Sequence, residues 1–331
     1  MFEQKIDFLA IGDITTDAFI RLKEAHVNCK VNEEDCELCV KFRDKIPYES
    51  VTVVSAVGNS PNAAVSAARL GLRSATMTDI GSDQNGKDCL ASLKKDGVNT
   101  KYVRVHNGMK TNYHYVLWYD VDRTILVKHE DYQRSLPHFP APKWIYLSSL
   151  GDNSENFHND IVDYLSKNPD VKMAFQPGTF QMKLGTEKLK GVYEKSEIIF
   201  CNKEEAQRIL GTNESDFKKL MSLMRSKGPK ISVITDGPNG AYADNGSETF
   251  YMPLYPDGEH PLDRTGAGDA FASTLTSALA LGKTLEEALR WAPINSASVV
   301  QKIGAQAGLL TQKELLEWLS RAPENYSVRK I

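Results

Sequence analysis

Residues 8–13 read Phe8-Leu9-Ala10-Ile11-Gly12-Asp13, a short apolar run that ends in a turn signal. This pattern is typical of a buried strand in a parallel sheet. Similar runs recur along the chain at Ala75–Ile80, Trp144–Leu147, Val171–Phe175, Glu197–Cys201 and Ile231–Thr235. Helical patterns separate most of them, at Asn62–Leu70, Gly86–Lys95, Glu155–Ser166 and Lys203–Leu210. Strands that alternate with helices predict a mostly parallel central sheet covered on both faces, a three-layer α/β/α domain.

Two long segments interrupt this alternation where short connections are expected. Residues 19–57 are rich in charges and β-formers, and residues 101–128 read as alternating strands, most clearly at Tyr113–Tyr119. We interpret both as insertions that build a small β-sheet lid over the main domain. After Gly240 the sequence predicts two short strands and then three helices, at Ala241–Asp244, Glu248–Met252, Gly268–Leu281, Leu285–Lys302 and Gln312–Ser320. We therefore expect a single domain over residues 1–331 that carries the lid.

The composition is that of a soluble globular protein. Hydrophobic residues make up 41% and charged residues 25% of the chain, which excludes collagen-like, disordered and coiled-coil classes. A net charge of -3 supplies no basic field for nucleic acid or an anionic membrane, so we expect a small-molecule partner. The N-terminus lacks a signal-peptide pattern, and five cysteines, an odd number, favour a reducing compartment over a disulfide framework. These features predict a cytoplasmic protein.

The strongest chemical signal is a glycine-rich turn that opens into a helix, Asp263-Arg264-Thr265-Gly266-Ala267-Gly268-Asp269. The first turn of a helix presents unpaired N–H groups, and glycines let a phosphate approach them closely. Asp269 would lie beside that anion, where its carboxylate can take the proton of a hydroxyl that attacks a phosphoryl group. The alternative is an ordinary carboxylate at a helix start.

Four motifs follow one another along the chain: Gly12-Asp13-x-x-x-Asp17, Gly58-Asn59-Ser60-Pro61-Asn62, Asn202-x-x-Glu205 and Asp263-x-Thr265-Gly266-Ala267-Gly268-Asp269. In this order they resemble the ribokinase (PfkB) family of carbohydrate and nucleoside kinases, from about residue 8 to about residue 308. The chain departs from the family at Val57, where a second glycine is usual, and at Asn59, where ribokinases have a lysine. The resemblance implies a ribokinase-like fold with a lid and an ATP-dependent kinase.

The resemblance also implies roles for residues around the acceptor. In that family the last aspartate of the glycine turn is the general base, and the amides before it hold the transferring phosphoryl group. It therefore assigns catalysis to Asp269, Gly266, Ala267 and Gly268. The positions that would bind the acceptor are Asp17, Gly58, Asn59 and Asn62. For Asp17 the alternative is a carboxylate that caps the next turn.

On the nucleotide side, Asn202 and Glu205 resemble the motif that orders Mg²⁺ and its waters. Taken alone, they read as an N-cap asparagine and an exposed helical glutamate. The resemblance places ATP against Asn202, Thr235, Gly237, Gly240 and Asn295. It also implies a K⁺ loop that would fix the glycine turn, formed by Asp263, Thr265, Lys302 and Gly304.

The sequence thus predicts a phosphotransferase that moves the γ-phosphoryl group of ATP to a primary hydroxyl of a sugar or nucleoside. Ribose-like sugars and nucleosides are favoured, because Gln176-Pro177-Gly178-Thr179 lacks the arginine with which some relatives would pair an acidic sugar. One alternative is a non-catalytic nucleotide- or sugar-binding regulator with the same fold. Another is a zinc-binding interaction protein that uses His26, Cys29, Cys36 and Cys39. Exposed lid strands would also allow a homodimer.

Overall fold

The computed structural model describes residues 5–29, 36–120 and 122–331. The strands in these ranges are β1 (Phe8–Ile11), β2 (Thr15–Leu22), β3 (His26–Cys29), β4 (Cys36–Cys39), β5 (Tyr48–Val57), β6 (Ser74–Gly81), β7 (Asn99–His106), β8 (Tyr113–Tyr119), β9 (Asp122–Leu126), β10 (Trp144–Leu147), β11 (Lys172–Phe175), β12 (Ile198–Asn202), β13 (Ile231–Thr235), β14 (Ala241–Asp244), β15 (Thr249–Met252) and β16 (Arg329–Lys330). The α-helices are α1 (Asn59–Arg69), α2 (Gln84–Lys95), α3 (Glu155–Lys167), α4 (Thr179–Lys188), α5 (Lys190–Lys195), α6 (Lys203–Leu210), α7 (Phe217–Arg225), α8 (Ala267–Ala280), α9 (Leu285–Val299) and α10 (Gln312–Ser320).

The central sheet has ten strands in the order β16-β15-β14-β13-β12-β11-β10-β1-β6-β7. The strands from β13 to β7 in this order run parallel, and β14, β15 and β16 extend one edge as antiparallel strands. All six strands predicted from apolar runs lie in this sheet. Strand β1 has β6 as its neighbour on one side and β10 as its neighbour on the other. Ligands of open α/β sheets bind at the carboxyl ends of strands where the connections diverge in this way.

Helices cover both faces of the central sheet. Phe8 and Ala10 of β1 belong to a buried cluster with residues of α1, α8 and α9. Leu9 and Ile11 belong to a second cluster with residues of α3 and α7. Successive side chains of a strand point to opposite faces, so a strand buried on both sides must be apolar throughout. The predicted three-layer architecture is confirmed.

A separate four-stranded sheet has the order β5-β2-β8-β9, and we call it the lid sheet. The predicted boundaries, residues 19–57 and 101–128, are partly wrong. Strand β2 begins at Thr15, and β7, which covers residues 99–106, pairs with β6 in the central sheet. A half-buried edge strand alternates polar and apolar residues as a lid strand does, so the pattern does not separate them. Strands β3 and β4 form their own two-stranded sheet.

Three helices, α4, α5 and α7, are not predicted by the sequence patterns. Helix α7 begins after Asp216, whose carboxylate accepts the N–H of Lys219 at 2.9 Å. Helix α4 contains Gly185 at a φ of 84°, and α5 has only six residues, so neither shows a clear helical period. No helix in the described part of the chain is long and apolar enough to cross a membrane.

The cysteines of the two-stranded sheet differ from expectation. Cys29 and Cys36 lie opposite each other in the antiparallel pair and are joined by a disulfide bond. The cysteine count argues against a disulfide framework, and the structure has one local bridge, which an odd number of cysteines does not exclude. The zinc set with His26 and Cys39 is not assembled, since two of its four ligands are bonded to each other. Within the described ranges, no group of three or more His, Cys, Asp or Glu side chains is arranged to hold a metal ion.

Candidate active site

The glycine-rich turn ends at the N-terminus of α8. Gly266 adopts a left-handed φ of 81° directly before Ala267, the first residue of the helix. A side chain at position 266 would be strained, and its Cβ would lie 2.3 Å from the Cβ of Ala305. The N–H groups of Gly268 and Asp269 lie in the first turn, where a helix has no intrahelical acceptor to offer them. The turn therefore has the backbone shape and the free donors that the sequence predicts.

Three side-chain amides surround the carboxylate of Asp269. Asn59 Nδ2 donates to Oδ1 at 2.7 Å, and Asn62 Nδ2 donates to Oδ2 at 2.8 Å. Gln176 Nε2 donates to Oδ1 at 3.0 Å. Burial raises the pKa of Asp269 above its ordinary value, and the three amides oppose that shift without cancelling it. Asp269 is therefore a stronger base than a solvent-exposed aspartate, as a general base requires.

Two residues behind these amides determine which end of each amide faces Asp269. Gln306 Nε2 donates to Asn62 Oδ1 at 2.9 Å, so the Nδ2 of Asn62 is left for the carboxylate. The hydroxyl of Tyr146 donates to Gln176 Oε1 and leaves Nε2 for Asp269 in the same way. Sequence reasoning misses the roles of three residues here, Gln176, Gln306 and Tyr146. Only Gln176 carries a signal, because it follows β11 at the carboxyl edge of the sheet.

A cavity of about 350 Å³, which we call the acceptor cavity, opens between the lid sheet and α1 on one side of Asp269. Its polar lining includes Asp17, Asn59, Asn62, His114 and His129. Its apolar lining consists of Phe19, Val57, Ile125, Val127, Phe180 and Ala305, with Gly58 between α1 and the lid sheet. The structure thus brings all four predicted acceptor residues and the predicted base to one cavity.

Asp17 lines the acceptor cavity, and one of its carboxylate oxygens has no hydrogen bond from the described part of the chain. Its Oδ1 is buried and has no hydrogen-bond partner among the described residues. Nδ1 of His114 lies 3.4 Å from this oxygen, but the two atoms do not form a hydrogen bond. A buried carboxylate oxygen without a donor is unfavourable, so this atom is suited to a ligand hydroxyl.

His129 reaches the same cavity and is held from behind by Asp13. Asp13 Oδ2 lies 2.8 Å from His129 Nδ1 and accepts the N–H of Gly151 at 2.8 Å. Its Oδ1 accepts Arg134 Nη2 at 2.8 Å. Burial opposes the ionisation of Asp13, but His129 and Arg134 outweigh it and hold the pKa of Asp13 below its usual value. The ionised Asp13 fixes the His129 ring, which meets Phe180 edge to face with centroids 5.3 Å apart.

A second cavity, of about 460 Å³, opens on the other side of Asp269. It shares three lining residues with the acceptor cavity, Asn59, Ile125 and Asp269. Its remaining walls include Gly266, Gly268, Asn202, Glu205, Arg123 and Arg264. A helix N-terminus and two guanidinium groups suit it to an anion, and we call it the anion cavity.

Asn202 and Glu205 form a reciprocal capping box at the start of α6. The N–H of Asn202 donates to Glu205 Oε2 at 2.9 Å, and the N–H of Glu205 donates to Asn202 Oδ1 at 2.8 Å. Asn202 is therefore an N-cap, as its alternative interpretation states. Glu205 is not an exposed helical glutamate, because it lines the anion cavity and burial raises its pKa.

A third, narrow cavity of about 110 Å³ continues from the anion cavity and shares Thr235, Gly268 and Phe271 with it. Thr235, Gly237 and Gly240 line this cavity, which joins three predicted nucleotide residues in one place. Asn295 does not line it. Its Nδ2 donates to Thr274 Oγ1 at 2.8 Å and its Oδ1 accepts the N–H of Leu310 at 2.9 Å, so the side chain is buried and committed inside the protein. Pro293 and Ser296 of the same helix line the cavity instead.

Asp263 connects the glycine turn to the loop at Gly304. Its Oδ1 accepts the N–H of Thr265 at 2.9 Å and the Thr265 hydroxyl at 2.6 Å. Its Oδ2 accepts the N–H of Gly304 at 2.9 Å, and Lys302 lies two residues earlier in that loop. The predicted K⁺ residues are therefore neighbours. Both carboxylate oxygens are used within the chain, so a cation here would depend on backbone carbonyls.

Comparisons with known proteins identify the family. The profile of the pfkB family carbohydrate kinases matches residues 25–312. An ATP-dependent 6-phosphofructokinase from Thermoanaerobacterium thermosaccharolyticum is 30% identical over 278 residues, which cover 78% of this chain and 83% of the relative. A ribokinase from Bacillus subtilis is 27% identical over 289 residues, which cover 84% and 94%. The solved structure of Arabidopsis thaliana ribokinase complexed with ribose and ATP has the same fold, with a TM-score of 0.79 at 19% identity over 96% of this chain and 99% of that one.

The family match covers most of the chain, and the conserved fold agrees with the observed three layers and separate small sheet. The chain therefore belongs to the pfkB family of carbohydrate kinases, and it is an ATP-dependent enzyme that transfers a phosphoryl group to a sugar or nucleoside.

Proposed function

We propose that the phosphoryl group passes across Asp269, from ATP in the anion cavity to an acceptor in the acceptor cavity. The observation that carries this proposal is the position of Asp269, which lines both cavities at the N-terminus of α8. A general base for this reaction must lie within reach of the acceptor hydroxyl and of the phosphorus atom it attacks. The third cavity, at Thr235, Gly237 and Gly240, would hold the nucleoside part of ATP.

In this proposal Asp269 takes the proton of the acceptor hydroxyl while the oxygen of that hydroxyl bonds to the γ-phosphorus. The bond between the γ-phosphorus and the bridging oxygen breaks, and ADP keeps the electron pair. The N–H groups of Gly266 and Gly268, which line the anion cavity, would meet the negative charge that develops on the phosphoryl oxygens, whereas the N–H of Ala267 already donates to the carbonyl of Arg264 at 3.4 Å. Asp17 accepts hydrogen bonds from other hydroxyls of the acceptor, which turns a primary hydroxyl toward Asp269.

The anion cavity fits Mg²⁺ held through its water molecules. The capping box engages Oε2 of Glu205, which leaves Oε1 for the cavity that Asn202 also borders. Mg²⁺ prefers such oxygen ligands and keeps several waters, and it would neutralise phosphate charge. A K⁺ ion on carbonyls near Lys302 and Gly304, beside Asp263 and Thr265, would in the same way brace the glycine turn. Turnover measured in KCl and in NaCl at equal ionic strength tests this part, and equal rates would contradict it.

We infer that the acceptor is uncharged. No lysine or arginine is among the described residues that line the acceptor cavity. Arg134 is nearby, but its side chain is 2% exposed and is bound to Asp13. The phosphate of a sugar phosphate or the carboxylate of an acidic sugar would therefore enter without a lysine or arginine to pair with it. Ribose-like sugars and nucleosides fit better, because Phe19 and Phe180 offer apolar surfaces to a sugar ring or a base.

A thermal-shift screen with a non-hydrolysable ATP analogue tests this inference, because a ligand that binds the folded state raises its Tm. The panel contains D-ribose, D-fructose, adenosine, cytidine and fructose 6-phosphate, and mass spectrometry with ATP then detects phosphorylated product. We expect product from a neutral acceptor. Fructose 6-phosphate as the preferred acceptor would contradict the inference, and binding without any product would favour the regulator hypothesis.

We also propose that the lid sheet closes over the acceptor and pairs two chains. Val53 lies in register with Ala18, Tyr115 and Leu126 across the four strands. Val53 is 54%, Tyr115 49% and Leu126 51% exposed, an apolar row on the face away from the acceptor cavity. Light scattering tests the dimer, and a Val53→Lys variant should be monomeric. The cytoplasmic location stays a prediction.

A further inference from the structure

The narrow cavity at Gly237, in which the proposed function places the nucleoside part of ATP, has a mostly apolar lining. Ten of the twelve described residues that line it are glycine, alanine, methionine, proline, leucine or phenylalanine. Neither a charged side chain nor a side-chain amide is among those twelve. A binding cavity is selective through the few polar groups that it places against a ligand. The narrow cavity can therefore hold a flat ring, but it offers little to recognise the edge of that ring.

The two polar side chains of the narrow cavity, those of Thr235 and Ser296, do not distinguish one nucleobase from another. Ser296 Oγ already donates its proton to the carbonyl of Ala267 at 2.8 Å, so it has only lone pairs to offer a ligand. Each nucleobase of the common nucleotides carries at least one N–H group on its edge, so such a lone pair accepts from all of them alike. Thr235 also lines the anion cavity, which would place it at the phosphate end of the nucleotide.

Backbone groups that border the narrow cavity are used within the protein. The N–H of Gly240 donates to the carbonyl of Gly237 at 3.3 Å, and the carbonyl of Gly240 accepts the N–H of Asp236 at 2.8 Å. Pro253 and Pro293 line the opposite wall and have no N–H to donate. These backbone groups are therefore not available to recognise a nucleobase.

Asn295 is a residue that could have recognised adenine, because an amide offers a donor and an acceptor side by side. Its side chain is buried instead and makes hydrogen bonds with Thr274 and with the N–H of Leu310. At Asp269, by contrast, three side-chain amides bind one carboxylate. The protein thus holds the reacting end of the site with amides and has none among the described residues that line the nucleoside end.

We propose that the phosphoryl donor is not restricted to ATP, and that nucleoside triphosphates with other purine or pyrimidine bases also donate their γ-phosphoryl group. This inference rests on the proposed function, in which the narrow cavity holds the nucleoside. The reaction is the same for each donor: the acceptor oxygen bonds to the γ-phosphorus, the bond to the bridging oxygen breaks, and the nucleoside diphosphate keeps the electron pair. The triphosphate, which all donors share, makes the polar contacts in the anion cavity.

The size of the preference for ATP separates this proposal from a site that recognises adenine. A site built to hydrogen-bond a substrate group rejects an analogue that lacks this group by about 10⁴- to 10⁵-fold. An apolar pocket distinguishes similar ligands by only about 10- to 200-fold. We therefore expect kcat/KM for GTP, ITP, CTP and UTP to lie within about 200-fold of the value for ATP.

The test measures kcat/KM for these five donors with the best acceptor among D-ribose, D-fructose, adenosine and cytidine. Mass spectrometry follows the phosphorylated acceptor, which should be the same product with every donor. A preference for ATP of more than about 200-fold over any of the other four donors would overturn the proposal.

A variant of the cavity wall tests whether the nucleobase lies there. Leu254 lines the narrow cavity and is 45% exposed, so Leu254→Ala should leave the fold intact. We expect this variant to raise KM for all five donors by a similar factor of roughly 3- to 10-fold, because only apolar contact is lost. Leu316→Ala is the matched control, since Leu316 is 44% exposed and lines none of the three cavities. An increase for ATP alone, or no increase for any donor, would contradict the proposal.

Asp269→Asn, measured with ATP and with GTP, distinguishes this inference from the proposed function. Turnover should fall by the same factor with both donors. If the variant keeps its rate, the transfer across Asp269 is wrong, whichever donors the enzyme accepts. If turnover falls but the wild type uses ATP alone, the proposed function stands and the inference about the donor is wrong.

Discussion

Asp269 lines the acceptor cavity and Asp13 lies behind the cavity wall at His129, and the protein holds these two carboxylates in opposite ways. Asp269 receives hydrogen bonds from the neutral amides of Asn59, Asn62 and Gln176, and its pKa is raised. Asp13 is held by His129 and Arg134, and its pKa is lowered. Neutral donors orient a carboxylate and leave it ready to take a proton, whereas a guanidinium group such as that of Arg134 keeps it ionised. The difference supports the proposal that Asp269 takes the proton, whereas Asp13 holds His129 in the wall of the cavity.

The largest expected effect follows from replacing the base. Asp269→Asn keeps the shape of the side chain but cannot accept the proton, so we expect turnover to fall by roughly 10²- to 10⁴-fold. Because the variant removes a desolvated negative charge, its Tm should not be lower than that of the wild type. Steady-state kinetics and thermal unfolding measure the two quantities. Near-normal turnover would remove Asp269 from its assigned role.

Replacing Asp13 should affect stability first. Asp13→Asn leaves Arg134, whose side chain is 2% exposed, without its carboxylate. We expect the free energy of unfolding to fall by about 3–5 kcal/mol, as for other broken buried pairs. The matched control is Asp7→Asn, because its partner Arg73 has a side chain that is 48% exposed and stays hydrated. Urea unfolding should give about 1 kcal/mol or less for this control. Equal losses in both variants would contradict the comparison.

A smaller effect is expected from the residue that orients Asn62. Gln306→Met removes the donor to Asn62 Oδ1, so the amide of Asn62 is free to turn its oxygen toward Asp269. Loss of one hydrogen bond of about 1 kcal/mol corresponds to a decrease in kcat of up to roughly tenfold. The acid limb of the pH profile should also move to higher pH, because the carboxylate loses a donor that stabilises its charge. Gln301→Met is the control, since the Gln301 side chain makes a long hydrogen bond of 3.5 Å to Asp257, away from Asn62 and Asp269. An unchanged acid limb would show that Gln306 does not orient this site.

The smallest expected effect is a difference between the pH at which activity is lost and the pH at which stability is lost, because the two depend on different carboxylates. Turnover requires ionised Asp269, so it should fall as the pH drops through the raised pKa of this group. Asp13 contributes stability above its unfolded-state pKa, and that contribution disappears only as the pH falls through its lowered folded-state pKa. On acidification, activity should therefore be lost before the fold. Measurements of kcat and Tm over the same pH series test this order, and a simultaneous loss of both would be inconsistent with it.

Local patterns predict much of this molecule because the relevant information lies within a few residues. The apolar run at residues 8–11 predicts a strand, and the glycine-rich turn at residues 263–269 predicts the start of a helix. The structure has β1 and α8 at these positions. The order of the motifs also predicts Asn59 and Asn62 at the acceptor site, and both line the acceptor cavity. It does not reveal that their amide nitrogen atoms bind Asp269, because an amide can turn either end toward a partner.

Contacts between distant segments are where sequence reasoning is weakest. Gln306 meets Asn62 only because α1 and the loop after α9 pack together, and neither segment carries a signal of that contact. The family resemblance predicts Asn295 next to the nucleotide, yet its side chain is buried and makes hydrogen bonds with Thr274 and with the N–H of Leu310. The disulfide between Cys29 and Cys36 depends on strand register, which cysteine counts do not contain.

The three cavities share lining residues in succession, from the acceptor cavity through the anion cavity to the narrow cavity at Gly237. A single inhibitor that tethers an acceptor analogue to adenosine through a phosphate chain would span this whole path. Each half would raise the effective concentration of the other, so the tethered compound should bind far more tightly than either fragment alone. The length of the best tether would then measure the distance between the bound acceptor and the bound adenosine.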